Sequence, residues 1–123
     1  MLTYLALGSN IEPRLEYLDR AVTALESIGQ IKQLSPIYET EPLGPDKQVW
    51  HLNQAVELET VLEPIELLHS CKQIEQALGR TQRKKWGPRE IYIDILFYNG
   101  TVVNTPELVI PHPELAKRRF MLQ

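Results

Sequence analysis

The segment Lys85-Trp86-Gly87-Pro88-Arg89-Glu90-Ile91-Tyr92-Ile93-Asp94-Ile95-Leu96-Phe97 constrains this chain more than any other. From Glu90 onward it alternates: Ile91, Ile93, Ile95 and Phe97 fall on one side of an extended chain, and Glu90, Tyr92 and Asp94 on the other. That pattern predicts a half-buried strand over Ile91–Phe97, with the isoleucines toward a core and a wet polar face opposite. The turn before it is stiff, because Gly87 permits unusual dihedrals and Pro88 fixes one. Arg83, Lys84, Lys85 and Arg89 crowd around that turn. Cationic side chains beside a carboxylate on an open strand face suit a polyphosphate that carries a metal ion.

The rest of the chain supplies a frame for that strand. Leu2 to Leu7 reads as a first strand, ended by the turn Gly8-Ser9-Asn10. Leu15, Leu18, Ala21, Val22, Leu25 and Ile28 recur at helical spacing, and Gly29 closes the helix. Ile31 to Tyr38 reads as a second strand, weakened or marked as an edge by Ser35-Pro36. Thr40 to Asp46 is a loop by composition, and Leu52 to Leu58 a third strand. A second helix opens at Glu63-Pro64 and runs through Leu78 to Gly79. Beyond the strand at Ile91–Phe97, Asn99-Gly100 predicts a type I′ hairpin turn, with Val102-Val103 returning as a short strand. Pro111-His112-Pro113 reads as a rigid turn, and Glu114 to Phe120 as a last short helix. The order β-α-β-β-α-β plus a hairpin predicts one domain over residues 1–123. Its fold is an α+β ferredoxin-like sandwich, an antiparallel sheet with two helices on one face.

Composition narrows the partners. With 43% hydrophobic residues, 123 residues can bury one core. A net charge of −3 leaves no global footprint for nucleic acid; positive charge is local, at 80–89 and 117–119, which favours a small anionic ligand. One cysteine, Cys71, excludes an internal disulfide and fits a reducing cytoplasm. The N-terminal run lacks a basic flank and reads as a strand rather than a signal peptide, and no apolar run reaches transmembrane length.

Trp86-Gly87-Pro88-Arg89 followed by Asp94-Ile95-Leu96 resembles the signature of the 6-hydroxymethyl-7,8-dihydropterin pyrophosphokinase family of folate biosynthesis. The likeness extends from Leu5 to Leu122, through Gly8-Ser9-Asn10, the Thr40-to-Gly44 loop, Asn53, Ile74-Glu75, Pro111-His112 and Arg118-Arg119-Phe120. It implies an ATP-dependent transferase that moves pyrophosphate onto the hydroxymethyl group of a dihydropterin and releases AMP, with ATP as co-substrate and Mg2+ as cofactor. It assigns Arg83, Arg89 and Asp94 to catalysis, with Asp94 also the metal ligand. Glu75, Lys85, Trp86, Arg89, Ile95, His112 and Arg118 fall on the ATP side. Thr40, Pro42, Leu43, Asn53 and Phe120 fall on the pterin side, where the family's aromatic two residues before the asparagine becomes His51. The partners it implies are small molecules, with no nucleic acid or membrane, and the protein is expected to be a cytoplasmic monomer.

Two departures bear on activity. Tyr92 stands where the family has the first of two magnesium-binding aspartates, and the family usually continues beyond the segment at which this chain stops. A phenol with a pKa of about 10 is a poor magnesium ligand. Glu90 lies about 13 Å from Asp94 along an extended strand, too far to replace the missing carboxylate. The residues also have plainer readings: Asp94 as a solvated strand carboxylate, Glu75 as an exposed helix carboxylate, His112 as a structural turn residue, and the basic run as solvated surface. Three functions follow in order of preference. They are the pyrophosphokinase with activity impaired by Tyr92, a degenerate pterin- or nucleotide-binding protein of the same fold, and an interaction domain without pocket chemistry.

Overall fold

The computed structural model describes residues 1–41, 50–79, 90–113 and 115. The elements run β1 (Leu2–Ser9), α1 (Arg14–Leu25), β2 (Gln30–Leu34), β3 (Tyr38–Thr40), β4 (His51–Glu59), α2 (Pro64–Ala77), β5 (Tyr92–Tyr98), β6 (Val103–Asn104) and β7 (Val109–Ile110). The main sheet has the order β2-β4-β1-β5, with β3 also paired to β4 and every pairing antiparallel. Counting β2 and β3 as one broken strand, this is the ferredoxin-like arrangement that the element order predicts.

One face of the sheet carries both helices. Leu5 and Leu7 of β1, Val56 and Leu58 of β4, and Ile93 and Ile95 of β5 pack with Leu18, Ala21 and Leu25 of α1 and with Leu67, Leu68 and Cys71 of α2. Leu18, Ala21 and Leu25 of the stripe read from the sequence are the buried ones, while Leu15, at the start of α1, is exposed. On the opposite face the register sets three rows across β4, β1 and β5: Asn53-Gly8-Tyr92, Ala55-Ala6-Asp94 and Glu57-Tyr4-Phe97.

The second strand of the sequence reading is two strands. Pro36 has no N–H to give the ladder. Beside it, side chains stand in for ladder contacts: Ala55 N donates to Ser35 Oγ at 2.8 Å, and Gln54 Nε2 donates to the Ser35 carbonyl at 3.0 Å.

The alternation of β5 also changes phase. Tyr4 pairs with Phe97 but Leu5 pairs with Ile95, so Leu96 is an extra residue, a bulge. Past it, Tyr98 joins the core and Phe97 turns to the helix-free face, where it stacks on Tyr4 at 5.4 Å. The sequence reading placed Phe97 with the isoleucines; one inserted residue reverses that.

After β5 the chain turns at Asn99-Gly100, with Thr101 N donating to the Tyr98 carbonyl. Gly100 has φ of 73° and no described non-glycine residue has a positive φ, so the signs are those of type II rather than type I′. The following strand, β6, pairs with β7 and not with β5. The predicted last helix lies outside the described residues apart from Leu115.

Because the bulge decides which side chains reach the core, Ile95→Ala and Phe97→Ala separate the two phases. We expect Ile95→Ala to cost about 2–5 kcal/mol and Phe97→Ala less, although Phe97 loses the larger side chain. Urea denaturation of both variants checks this, and a reversed order contradicts the bulge.

Candidate functional site

Glu75, Ile95 and His112, the ATP-side candidates among the described residues, meet at the outer edge of β5. Pro64 starts α2, and the Glu63 backbone N–H donates to Glu66 Oε1 at 2.9 Å, fixing how the helix enters. Three turns on, Glu75 reaches the sheet: its Oε2 accepts the Ile93 backbone N–H at 2.7 Å. Two residues past β7, the His112 backbone N–H donates to the Leu96 carbonyl at 2.9 Å. An edge strand that would otherwise present bare backbone is thus held by a helix carboxylate and by the turn after β7.

Between these supports lies a cleft of about 530 Å³, lined among others by Lys72, Glu75, Asp94, Ile95, Glu107 and His112. Glu75, Asp94, Ile95 and His112, four widely spaced sequence candidates, share this one cleft. Glu75 departs from its plain reading as an exposed carboxylate, being only 6% exposed. Lys72 and Glu107 were not singled out from the sequence. The i, i+3 spacing of Lys72 and Glu75 on one helix was the available signal for Lys72.

Cys71 lies behind this site, and its thiol is pushed up to about 12, first by burial and then by the negative charges of Glu75 and Asp94. A thiol raised from 9.0 stays neutral in the fold. Its contribution is therefore complete below about pH 9 and is lost as pH rises toward 12.

Thr40 and Asn53, the pterin-side candidates among the described residues, are joined on the helix-free face. Asn53 Nδ2 donates to Thr40 Oγ1 at 2.7 Å, and the Tyr92 hydroxyl donates to Asn53 Oδ1 at 2.7 Å. Asn53 is 1% and Tyr92 4% exposed, so this part of the face is not the wet surface that alternation predicts. Glu90, expected on the same wet side, is also buried. The ring of Tyr92 lies over Gly8, where any Cβ would fall among the ring atoms. His51 stands edge-on to the same ring, at 6.2 Å between centroids. At the chain start of this region, Arg14 donates to the Glu39 carboxylate and to the Trp50 carbonyl, each at 2.7 Å. These bonds tie the residues on either side of Thr40 and His51, and the carboxylates of Glu39 and then Glu12 raise the guanidinium further above its usual range.

Arg83, Lys85, Trp86, Arg89 and Arg118, together with Pro42, Leu43 and Phe120, lie outside the described residues. Among the described residues no group of three His, Cys, Asp or Glu side chains could hold a metal ion. Magnesium needs less than such a cage, because one or two carboxylates suffice when phosphate oxygens and water complete its shell. Asp94, partly exposed in the cleft, suits one such ion. Tyr92 does not suit a second, since its oxygen is turned to Asn53.

Fold and site together define a ferredoxin-like α+β domain with a nucleotide-sized cleft at its sheet edge and a buried amide on its helix-free face. The chain belongs to the 7,8-dihydro-6-hydroxymethylpterin-pyrophosphokinase family, whose profile matches residues 4–123. It is 45% identical to the 2-amino-4-hydroxy-6-hydroxymethyldihydropteridine pyrophosphokinase of Bacillus subtilis, over 98% of this chain and 74% of that protein. The proteins of the same name from Aquifex aeolicus and Methylorubrum extorquens are each 44% identical over 97% of this chain, covering 74% and 77% of their lengths.

Replacing Glu75 with Ala leaves the buried Ile93 N–H without its acceptor, which we expect to cost about 1–3 kcal/mol in urea denaturation, with Gln recovering most of the loss. For Cys71 we expect no reaction with a thiol reagent at pH 8 until the protein is unfolded, as followed by absorbance.

Proposed function

We propose that this chain transfers pyrophosphate from ATP to the hydroxymethyl group of 6-hydroxymethyl-7,8-dihydropterin, and that Tyr92 slows the reaction. The observation that carries this reading is the single cleft shared by Asp94, Glu75, Ile95 and His112 on a chain of this family. The hydroxymethyl oxygen attacks the β-phosphorus of ATP, the bond from that phosphorus to the α,β-bridging oxygen breaks, and AMP leaves with the bridging electrons. The hydroxyl proton passes to solvent. Such a transfer asks a protein mainly for positioning and for neutralising charge.

In this reading His112 and Arg118 contact the triphosphate, Glu75 and Ile95 line the nucleotide's place, and Lys85 and Trp86 also serve to bind ATP. Arg83 and Arg89 neutralise the phosphate oxygens, since guanidinium forks suit them. A magnesium ion held by Asp94 and the phosphates would withdraw charge from the group being transferred. Thr40, Pro42, Leu43 and Asn53 read the pterin edge, and Phe120 stacks on its face. Amides that both donate and accept match a heterocycle with mixed edges. The protein acts as a monomer in the cytoplasm, a compartment that suits the buried free thiol of Cys71. No helix among the described residues is long and apolar enough to cross a membrane.

A second reading, a pterin- or nucleotide-binding protein with little turnover, is favoured by Tyr92 standing in place of a carboxylate and holding Asn53. AMP release, followed by a coupled assay with ATP and the dihydropterin, decides between them. We expect slow but measurable turnover, a rate at least about tenfold higher in Tyr92→Asp, and none in Asp94→Asn. Equal, fast rates in the natural chain and in Tyr92→Asp contradict the metal argument, and no turnover in either supports the binding protein.

A further inference from the structure

Tyr92 does more than omit a carboxylate. Asn53, Gly8 and Tyr92 stand in one row across three adjacent strands, so the first and last are two strand spacings apart, about 10 Å. The phenol crosses that distance only because Gly8 has no side chain beneath it. It ends with its hydroxyl 2.7 Å from Asn53 Oδ1 and its ring edge-on to His51. A flat, hydrogen-bonding ring on the Asn53 amide, next to an aromatic neighbour, has the contacts of a bound heterocycle. Asn53 is 1% exposed and the phenol holds its Oδ1, so an external ring reaches that oxygen only by displacing the phenol.

We infer that the side chain of Tyr92 occupies the heterocycle's own place on Asn53 and thereby sets the affinity and selectivity of the pterin subsite. This inference rests on the reading of Asn53 as a pterin contact. A ligand must displace the ring and its hydrogen bond before it can bind, and the displacement is subtracted from its affinity. Thr40 keeps the amide oriented from the other side, so Asn53 need not turn when the phenol leaves. Only ligands that regain the hydrogen bond to Oδ1 recover the loss. Heterocycles with an N–H or NH2 along that edge are selected, and those with only acceptors there are excluded.

Calorimetric titration with 6-hydroxymethylpterin, without nucleotide, tests this on the natural chain, Tyr92→Phe, Tyr92→Ala and Tyr92→Ala/Asn53→Ala. We expect Tyr92→Phe to bind roughly fivefold tighter, the equivalent of one neutral hydrogen bond, and Tyr92→Ala at least tenfold tighter. A non-hydrolysable ATP analogue should bind all four proteins alike, which also reports that they are folded. Equal or weaker pterin binding by both single variants overturns the inference and makes Tyr92 a brace for Asn53. The double variant tests the reading beneath it. Loss of binding relative to Tyr92→Ala upholds Asn53 as the pterin contact. Unchanged binding removes that contact and the inference with it, as does no binding by any of the proteins. Should Tyr92→Ala not fold, the natural chain with 13C-labelled tyrosine serves instead, the Tyr92 signal being assigned by its absence from Tyr92→Phe. That signal should shift on adding the pterin and not on adding the ATP analogue, and a signal unmoved at saturation overturns the inference.

Discussion

The register of three strands is the constraint on which the rest of this structure depends. Because β4, β1 and β5 are antiparallel and in step, Asn53 and Tyr92 are brought onto one row and Ala55 and Asp94 onto the next. Small residues, Gly8 and Ala6, fill the middle of both rows. A larger residue at Gly8 would leave no room for the phenol to cross, and the two sides of the site would lose their connection. The helices fix this register from behind, by burying Leu5, Leu7, Ile93 and Ile95.

A slip of β5 by one residue would send Asp94 into the core and an isoleucine onto the helix-free face. Three features oppose it. Glu75 holds the Ile93 N–H, the His112 backbone holds the Leu96 carbonyl, and Thr3 Oγ1 donates to the Phe97 carbonyl at 2.6 Å. The bulge at Leu96 then absorbs a change of phase beyond the functional stretch. Asp94 therefore sits on a strand anchored on both sides of it. That fixed position suits the metal-binding role proposed for Asp94.

The helices and the main strands were legible because burial imposes the same periods on sequence and structure. Three failures have local causes. The Ser35-Pro36 break looked like a weakness in one strand, since nothing in the sequence says that a serine hydroxyl can stand in for a ladder contact. The Asn99-Gly100 turn and the short strand after it are in the sequence reading, but β7, with which that strand pairs, is not, because β6 meets it only through chain that comes later. The phase of Phe97 depends on a bulge, and Leu96 is as apolar as its neighbours. Among candidate site residues, Asp94, His112, Thr40 and Asn53 were named from the family resemblance. The burial of Glu75 was hidden, since a helix carboxylate gives no sign that it will cap a strand N–H. Tyr92 was conspicuous as a missing carboxylate, whereas its bond to Asn53 needed the register of two other strands.

The consequence is a site that divides its neighbouring positions between two tasks. Asp94 lines the cleft, where we propose that it holds a metal-bound phosphate, and Tyr92, two residues earlier, is bonded to Asn53. Binding of Mn2+, as a paramagnetic substitute for Mg2+, in the presence of a non-hydrolysable ATP analogue measures this division directly. Counted by electron paramagnetic resonance, the ions bound per protein should number one. Two ions bound with comparable affinity would mean that a second ligand set exists, and that Tyr92 does not separate the two sides of the site.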